Sequence, residues 1–378
     1  MDTILLFADW YEPGYKAGGP IRSCVNFVRQ MSSDYRICVF TSDRDLGSTT
    51  PYAGILTDKW IQTAENVSVF YCSSGNLRWK TIRAEMQRMQ PGFIYLNSMF
   101  SAKFTILPLL ISRRYNYSGS VVLAPRGMLR ESAIKFKPFK KKVFLTGLRW
   151  LGFHRRVRFH ASDQTEVGDT RRFFGPGVQV SEIPIFPAAF PTSRKIPDKV
   201  RGQVSLIFVG RVHPIKNLDF LIRVLGLVRA SVTLTVIGGI EDAPFWEKCC
   251  QAIRELPPHI SVNYGGEVPN QELPAILEKY HIFALPTRGE NFGHAIFEAF
   301  ALGKPALISD QTPWRNLRES HAGWDLPLDR PDLFSEAIEE AAEFDGREYE
   351  AWSAGALDFA RGYVSRMNVK QQYRQLFS

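Results

Sequence analysis

The sequence is short of cysteine and of long apolar runs, and each shortage removes a class of protein. Five cysteines (Cys24, Cys38, Cys72, Cys249 and Cys250) make an odd number with no C-x-x-C spacing. The adjacent pair at 249 and 250 could bridge only with strain, so reduced, buried thiols in a cytosolic chain are expected rather than a disulfide scaffold. The apolar segment "FTILPLLI" contains Pro108 and falls far short of the roughly 20 residues that a membrane-spanning helix needs. The start, "MDTILLFADWYEPG", has neither the basic opening nor the long apolar core of a signal peptide and is expected to form a first β-strand. No G-x-G-x-x-G or Walker sequence occurs, which argues against a nicotinamide enzyme or a P-loop ATPase. There is also no metal-spaced histidine cluster and no recognisable RNA- or zinc-binding module, so neither a metal nor a nucleic-acid partner is expected.

What is present is a chain of 378 residues, 45% apolar, enough for two cored domains. Its +9 charge is uneven, because residues 1–190 carry a net +12 and the remainder −3. A basic first half suggests an anionic partner: a phosphorylated acceptor, a membrane surface or nucleic acid. Short β-branched runs alternate with amphipathic segments, the pattern of parallel sheets built from βαβ units. Strands are expected at 4–8, 36–40, 67–71, 93–96, 121–123, 157–160 and 178–183. After the proline-rich stretch 182–203 the alternation restarts with "SLIFV", "VTLTVI", "ISVNY", "HIFAL" and "PALIS". The reading is α/β, two doubly wound domains: residues 1–190 joined by about 359–378, and residues 191–358. The tail after Glu348 reads as one long helical pattern, interrupted only by Gly355 and Gly362, that returns to the first domain.

Ligands of open α/β sheets bind at the carboxyl ends of strands. There the sequence has "GRVHPIKN", in which Gly210 permits a tight turn and Arg211 and Lys216 converge beside a helix N-terminus, suited to a diphosphate. A solvated basic loop would look the same. Gly18 and Gly19, before Pro20, would let the backbone approach a phosphate, although glycine pairs also serve as turn punctuation. In "TRGENFGHAIFEAFALGKPALIS" the acids Glu290 and Glu298 could not share a ligand atom on one continuous helix. If the helix starts near Gly293, they flank the exposed amides of Asn291, Phe292, Gly293 and His294. Acids at both ends of an anion-binding stretch suit the hydroxyls and diphosphate of a nucleotide sugar. The alternative is a helix-capping Glu290 and a solvent-facing Glu298.

These stretches, with "YGGEVPNQELPAILEKYHIFALPT" between them, resemble the retaining GT4 glycosyltransferases of GT-B fold, and the Glu290–Glu298 pair looks like that family's E-x7-E signature. The resemblance is specific over about residues 206–328. It implies two Rossmann-like domains facing across a cleft, and sugar transfer from a UDP- or GDP-linked donor without metal or cofactor. It assigns Arg211 and Lys216 to the donor diphosphate, Glu298 to the ribose and Glu290 to the transferred sugar, with the amides of Asn291 to His294 on sugar or phosphate. Gly266 and Val268 would border the base, and Gly19 the diphosphate. The acceptor would be a glycan or a lipid-linked sugar, in bacterial surface polysaccharide synthesis. Many relatives carry a histidine after the strand matching "SVVLAP"; here Arg126 stands at that place, to contact the donor or an acidic acceptor or to pair with Glu131.

The segment 135–159 interleaves nine Lys/Arg with Phe, Leu and Trp. Such composition suits an anionic membrane surface and a cytoplasmic protein peripheral on the inner face of the membrane, or equally a core helix with solvated charges. Rival functions are another GT-B enzyme, such as a nucleotide-sugar epimerase, and a basic nucleic-acid-binding protein.

Overall fold

The computed structural model describes residues 1–130, 133–134 and 138–378, without the side chains of Pro138, Lys140 and Lys142. Two compact units divide the chain: Met1–Phe186 with Asn368–Ser378, and Pro187–Met367. The first boundary lies four residues before the expected one. The return crossover lies near 367 rather than 359.

In the first unit, β1 (Thr3–Phe7), α1 (Gly19–Met31), β2 (Arg36–Ser42), β3 (Trp60–Ala64), β4 (Val67–Cys72), α2 (Trp79–Met89) and β5 (Phe93–Leu96) lead to α3 (Leu107–Arg114). Then follow β6 (Ser120–Leu123), α4 (Pro138–Trp150), β7 (Val157–Ala161), α5 (Gln164–Phe174) and β8 (Val180–Glu182). The sheet order is β3-β4-β2-β1-β5-β6-β7-β8, parallel except for β3, which runs antiparallel on β4. Central strands such as "TILLF" are buried on both faces, which a parallel sheet clad in helices requires.

The second unit contains β9 (Gln203–Val209), α6 (Leu218–Leu225), β10 (Ser231–Ile237), α7 (Ala243–Arg254), β11 (Ile260–Gly266), α8 (Leu273–Leu277) and β12 (Ile282–Leu285). It continues through α9 (His294–Ala301), β13 (Ala306–Ser309), β14 (Gly323–Leu326), α10 (Pro331–Glu343) and α11 (Gly346–Arg366). Its parallel sheet has the order β11-β10-β9-β12-β13-β14. Helix α6 buries Leu218, Leu221, Ile222 and Leu225 on one face, worth at most about 1.5–3 kcal/mol each. The tail departs from the sequence reading. Gly355 and Gly362 lie within α11, which Asp345 opens with a capping box, and the break falls at Met367–Asn368. The last helix, α12 (Val369–Leu376), belongs to the first unit, where Tyr373 and Phe377 pack on Phe27.

The second unit buries Lys304, whose Nζ donates to the carbonyl of Glu278 at 3.0 Å. Burial pushes its ammonium down to about 8, against a pull upward from Glu278. Its folded value lies below its unfolded one, so the unfolded chain holds that proton more tightly and the charge penalises folding below about pH 8. The penalty is released as pH rises toward the unfolded value of about 10.4. Relative to Lys304→Met, the wild type is expected to gain on the order of 3 kcal/mol across that window, read from urea unfolding at both ends. A difference that does not change with pH would refute the assignment.

Candidate functional site

At the carboxyl edge of the second sheet, three strand ends meet through backbone. Gly210 N–H donates to Ile237 at 2.9 Å, Gly238 N–H to Gly266 at 2.8 Å and Val212 N–H to Gly239 at 2.8 Å. Gly238 has φ +141°, and a Cβ there would lie 2.1 Å from the Gly210 oxygen. The close approach of these two turns requires glycine. Gly266 ends β11, and Val268 follows it half-buried.

The loop between β9 and α6 contains a short 3₁₀ turn, Pro214–Lys216, which His213 caps by accepting from the Ile215 amide through Nδ1. That turn is stitched to the loop after β12. Asn217 Nδ2 donates to the Pro286 carbonyl at 3.0 Å, and Arg288 Nε donates to Asn217 Oδ1 at 3.1 Å. The Ile215 carbonyl accepts from both the Arg288 amide and the Thr287 hydroxyl. Across this seam Lys216 Nζ forms an ion pair with Glu290 Oε1, their side chains only 17% and 13% exposed. Two residues separated by 74 positions are thereby held in one spot.

Helix α9 begins at His294 with Gly293 as its N-cap at φ +77°. Trp314 Nε1 donates to the Phe292 carbonyl at 2.6 Å, and Glu290 N–H donates to Gln311 at 3.2 Å, so the turn before the helix is fixed from behind. Phe292 and His294 are buried, Asn291 is half-buried, and Glu298 sits half-buried one turn into the helix. Glu290 and Glu298 therefore do flank a helix N-terminus, as one of the two sequence readings expected. Arg211 is not beside Lys216 in its pairing. It forms an ion pair with Glu241, and both side chains are about 40% exposed. Glu241, Asn217, Thr287 and Trp314 were not singled out from sequence. Thr287 stands inside the quoted acidic stretch, and Asn217 ends the basic one, but their partners are distant in the chain.

In the first unit Gly18 caps α1, which starts at Gly19 with Pro20 in its first turn. Asp45 shapes the preceding loop by accepting from the amides of Tyr15 and Lys16 at 2.8 and 3.1 Å. Asp9, just past β1, accepts from the Ser101 hydroxyl at 2.7 Å; burial raises its carboxyl, partly offset by that bond. Arg126 has φ +54° and donates to Asn97 Oδ1 at 2.6 Å through Nε and to the buried Tyr95 hydroxyl at 2.5 Å through Nη2. Tyr95 in turn donates to His160 Nδ1 at 2.7 Å, and His160 Nε2 donates to the Ile183 carbonyl at 2.8 Å. Burial, with Arg126 nearby, holds that imidazole neutral. The proposed partner Glu131 lies outside the described residues, as do Lys135, Phe136 and Lys137 of the basic segment.

Residues 203–343, which carry the stitched loops and both acids, match the family model described as Glycosyl transferases group 1. The match takes in a little over a third of the chain. Similar curated proteins are a D-inositol 3-phosphate glycosyltransferase of Jonesia denitrificans, 29% identical across 28% of this chain and 26% of its own length, and the O-antigen chain mannosyltransferase B of Escherichia coli, 29% identical across 28% of each. The matched segments thus span only about a quarter of those relatives. Over whole chains the structure resembles Anabaena HepE, crystallised with UDP-glucose, with a TM-score of 0.72 at 16% identity over 99% of this chain and 98% of that one. The fold is GT-B, with one Rossmann-like sheet in each unit.

Proposed function

We propose that the chain is a retaining, metal-independent glycosyltransferase that moves a sugar from a UDP- or GDP-linked donor to a glycan or lipid-linked acceptor in bacterial surface polysaccharide synthesis. The observation that carries the reading is the Lys216–Glu290 pair, built by two separate loops beside the N-terminus of α9. A diphosphate bound there meets one ammonium and a set of helix amides, and a sugar hydroxyl beside it meets a carboxylate. The donor-bearing relatives support the class: HepE was crystallised with UDP-glucose, and an α-(1-6)-mannosyltransferase of Mycolicibacterium smegmatis is named as GDP-mannose-dependent. The comparisons do not favour an epimerase or a nucleic-acid-binding protein.

In this reading Lys216 stabilises the charge growing on the departing diphosphate, and Glu290 orients the sugar as it becomes oxocarbenium-like. The acceptor hydroxyl attacks the anomeric carbon on the face the diphosphate leaves, and its proton passes to a diphosphate oxygen. Arg211 completes the anion's surroundings from the rim. Glu298 accepts from the ribose hydroxyls, and Gly266 and Val268 border the base. Arg126, tied to Tyr95 and Asn97, holds the acceptor-side loop in shape. No helix among the described residues is long and apolar enough to cross a membrane, and the enzyme is proposed to work from the cytoplasm, peripheral on the inner face of the membrane.

Thermal-shift screening of UDP- and GDP-sugars, followed by assay of nucleoside diphosphate release and NMR of the product's anomeric configuration, tests the reading. Stabilisation by one donor, release that persists with a chelator, and retained configuration are expected. A protein that no nucleotide sugar stabilises and that releases no nucleoside diphosphate would refute it.

A further inference from the structure

Helix α4 has two faces of unlike function. Leu145 and Leu148 are buried against the first unit. On the opposite side Phe139, Val143 and Trp150 are 79%, 57% and 86% exposed. At 100° per residue these three fall within an arc of about 40°, so they form one apolar stripe directed at solvent. From residue 132 to residue 162 the sequence holds no Asp or Glu, against nine Lys/Arg.

Where this stripe ends, the structure has an open cavity of about 710 Å³ between the end of α4, the 3₁₀ turn Phe153–Arg155 and the loop after α5. This is within the range of about 300–1,000 Å³ usual for small-molecule sites. Arg149, Trp150, His154, Arg155, Phe174 and Val178 are among its lining residues. Neither Arg149 nor Arg155 has an ion-pair partner among the described residues, and both charges act on the imidazole of His154, which burial already holds low. His154 stacks on Phe174, and its Nδ1 is buried without a hydrogen-bond partner. Two guanidinium groups beside a buried ring nitrogen make a site suited to an anion. The adjoining exposed indole is suited to the boundary of an apolar phase.

We infer that this cavity takes the phosphate of an anionic lipid headgroup, with Arg149 and Arg155 neutralising the anion, His154 donating through Nδ1, and Trp150 entering the boundary between headgroups and acyl chains. As the means by which a lipid-linked acceptor meets the enzyme, this rests on the glycosyltransferase reading. The headgroup site itself stands on the first unit alone. Solvated basic side chains would explain the charge, but not the apolar stripe on the helix's outer face beside an unpartnered buried nitrogen.

The test uses the full chain with histidine ring nitrogens labelled, titrated with dihexanoyl phosphatidate below its micelle concentration and, separately, with inorganic phosphate. A saturable shift of the His154 ring with the lipid, and a much weaker one with inorganic phosphate, is expected. Arg149→Gln/Arg155→Gln should weaken phosphatidate binding and co-sedimentation with phosphatidate-containing phosphatidylcholine vesicles roughly thirtyfold. The charge-matched control Arg36→Gln/Lys59→Gln should stay close to wild type. Trp150→Ser should lose vesicle binding more than binding of the short-chain lipid. Equal affinity for inorganic phosphate without vesicle binding would make it a free-anion site and overturn the inference, as would phosphatidate binding that the double arginine change leaves intact. Donor thermal shift on the same variants reports the second unit separately, so failure of the donor reading is distinguishable from failure of this one.

Discussion

Lys216→Ala is expected to lower turnover roughly a hundred- to a thousandfold and to weaken donor binding, with a melting temperature close to wild type. Its ammonium is the positive charge that the structure holds at the seam between the loop after β9 and the loop after β12, and its partner there is Glu290. In the transferase reading the diphosphate gains negative charge as the glycosidic bond breaks, so a fixed cation at that point stabilises the transition state more than the ground state. The fold does not depend on the pair, because Asn217, Thr287 and Arg288 hold the two loops together independently. Glu290→Gln separates charge from geometry. The amide oxygen still accepts from Lys216, so donor affinity should change little while turnover falls on a scale similar to Lys216→Ala. Arg211→Ala should cost less, roughly tenfold, because that side chain is at the rim, paired with an exposed Glu241. Donor hydrolysis and transfer assays read all three. Wild-type rates in Lys216→Ala and Glu290→Gln together would remove the site.

That site was legible in part. The turn residues, the cations after β9 and the spacing of the two acids could be read because each depends on a few neighbouring residues, and the helix does begin next to Gly293, at His294, as one reading required. The direct Lys216–Glu290 contact could not be read, since it depends on Asn217 and Thr287 meeting groups some 70 positions away. The pairing of Arg211 with Glu241 was missed for the same reason. In the fold, buried parallel strands announced themselves by continuous apolar runs. The edge strand β3, "WIQTA", is mostly exposed and has a register irregularity, so it carries no burial pattern to read. At the tail, glycine suggested interruptions at 355 and 362, yet α11 runs through both because its buried face is Trp352, Ala356, Leu357 and Ala360. The true break has neither glycine nor proline. It is where the chain passes from one unit to the other, a tertiary cause that local propensity does not carry.

Gly238→Ala is expected to destabilise the second unit by on the order of 3 kcal/mol and to lower its melting temperature by roughly 6–12 °C. The added Cβ would meet Gly210 at 2.1 Å from its oxygen and 2.6 Å from its carbonyl carbon, both backbone atoms that no rotamer change can move aside. The backbone there, at φ +141°, is also one that alanine adopts only with strain. Relief requires β9 and β10 to part at their carboxyl ends, stretching the Gly210 to Ile237 and Val212 to Gly239 hydrogen bonds. The loop that starts at Gly210 carries Lys216, so the fraction that remains folded should bind donor more weakly, coupling a packing defect to the proposed chemistry. Gly289→Ala supplies the contrast. It adjoins Glu290, but its Cβ would have nothing within 4 Å and its φ is not in the strained range. It should melt within about 0.5 kcal/mol of wild type and keep donor affinity. If the two variants unfold alike in urea, the close approach of the strand ends is not what organises the site.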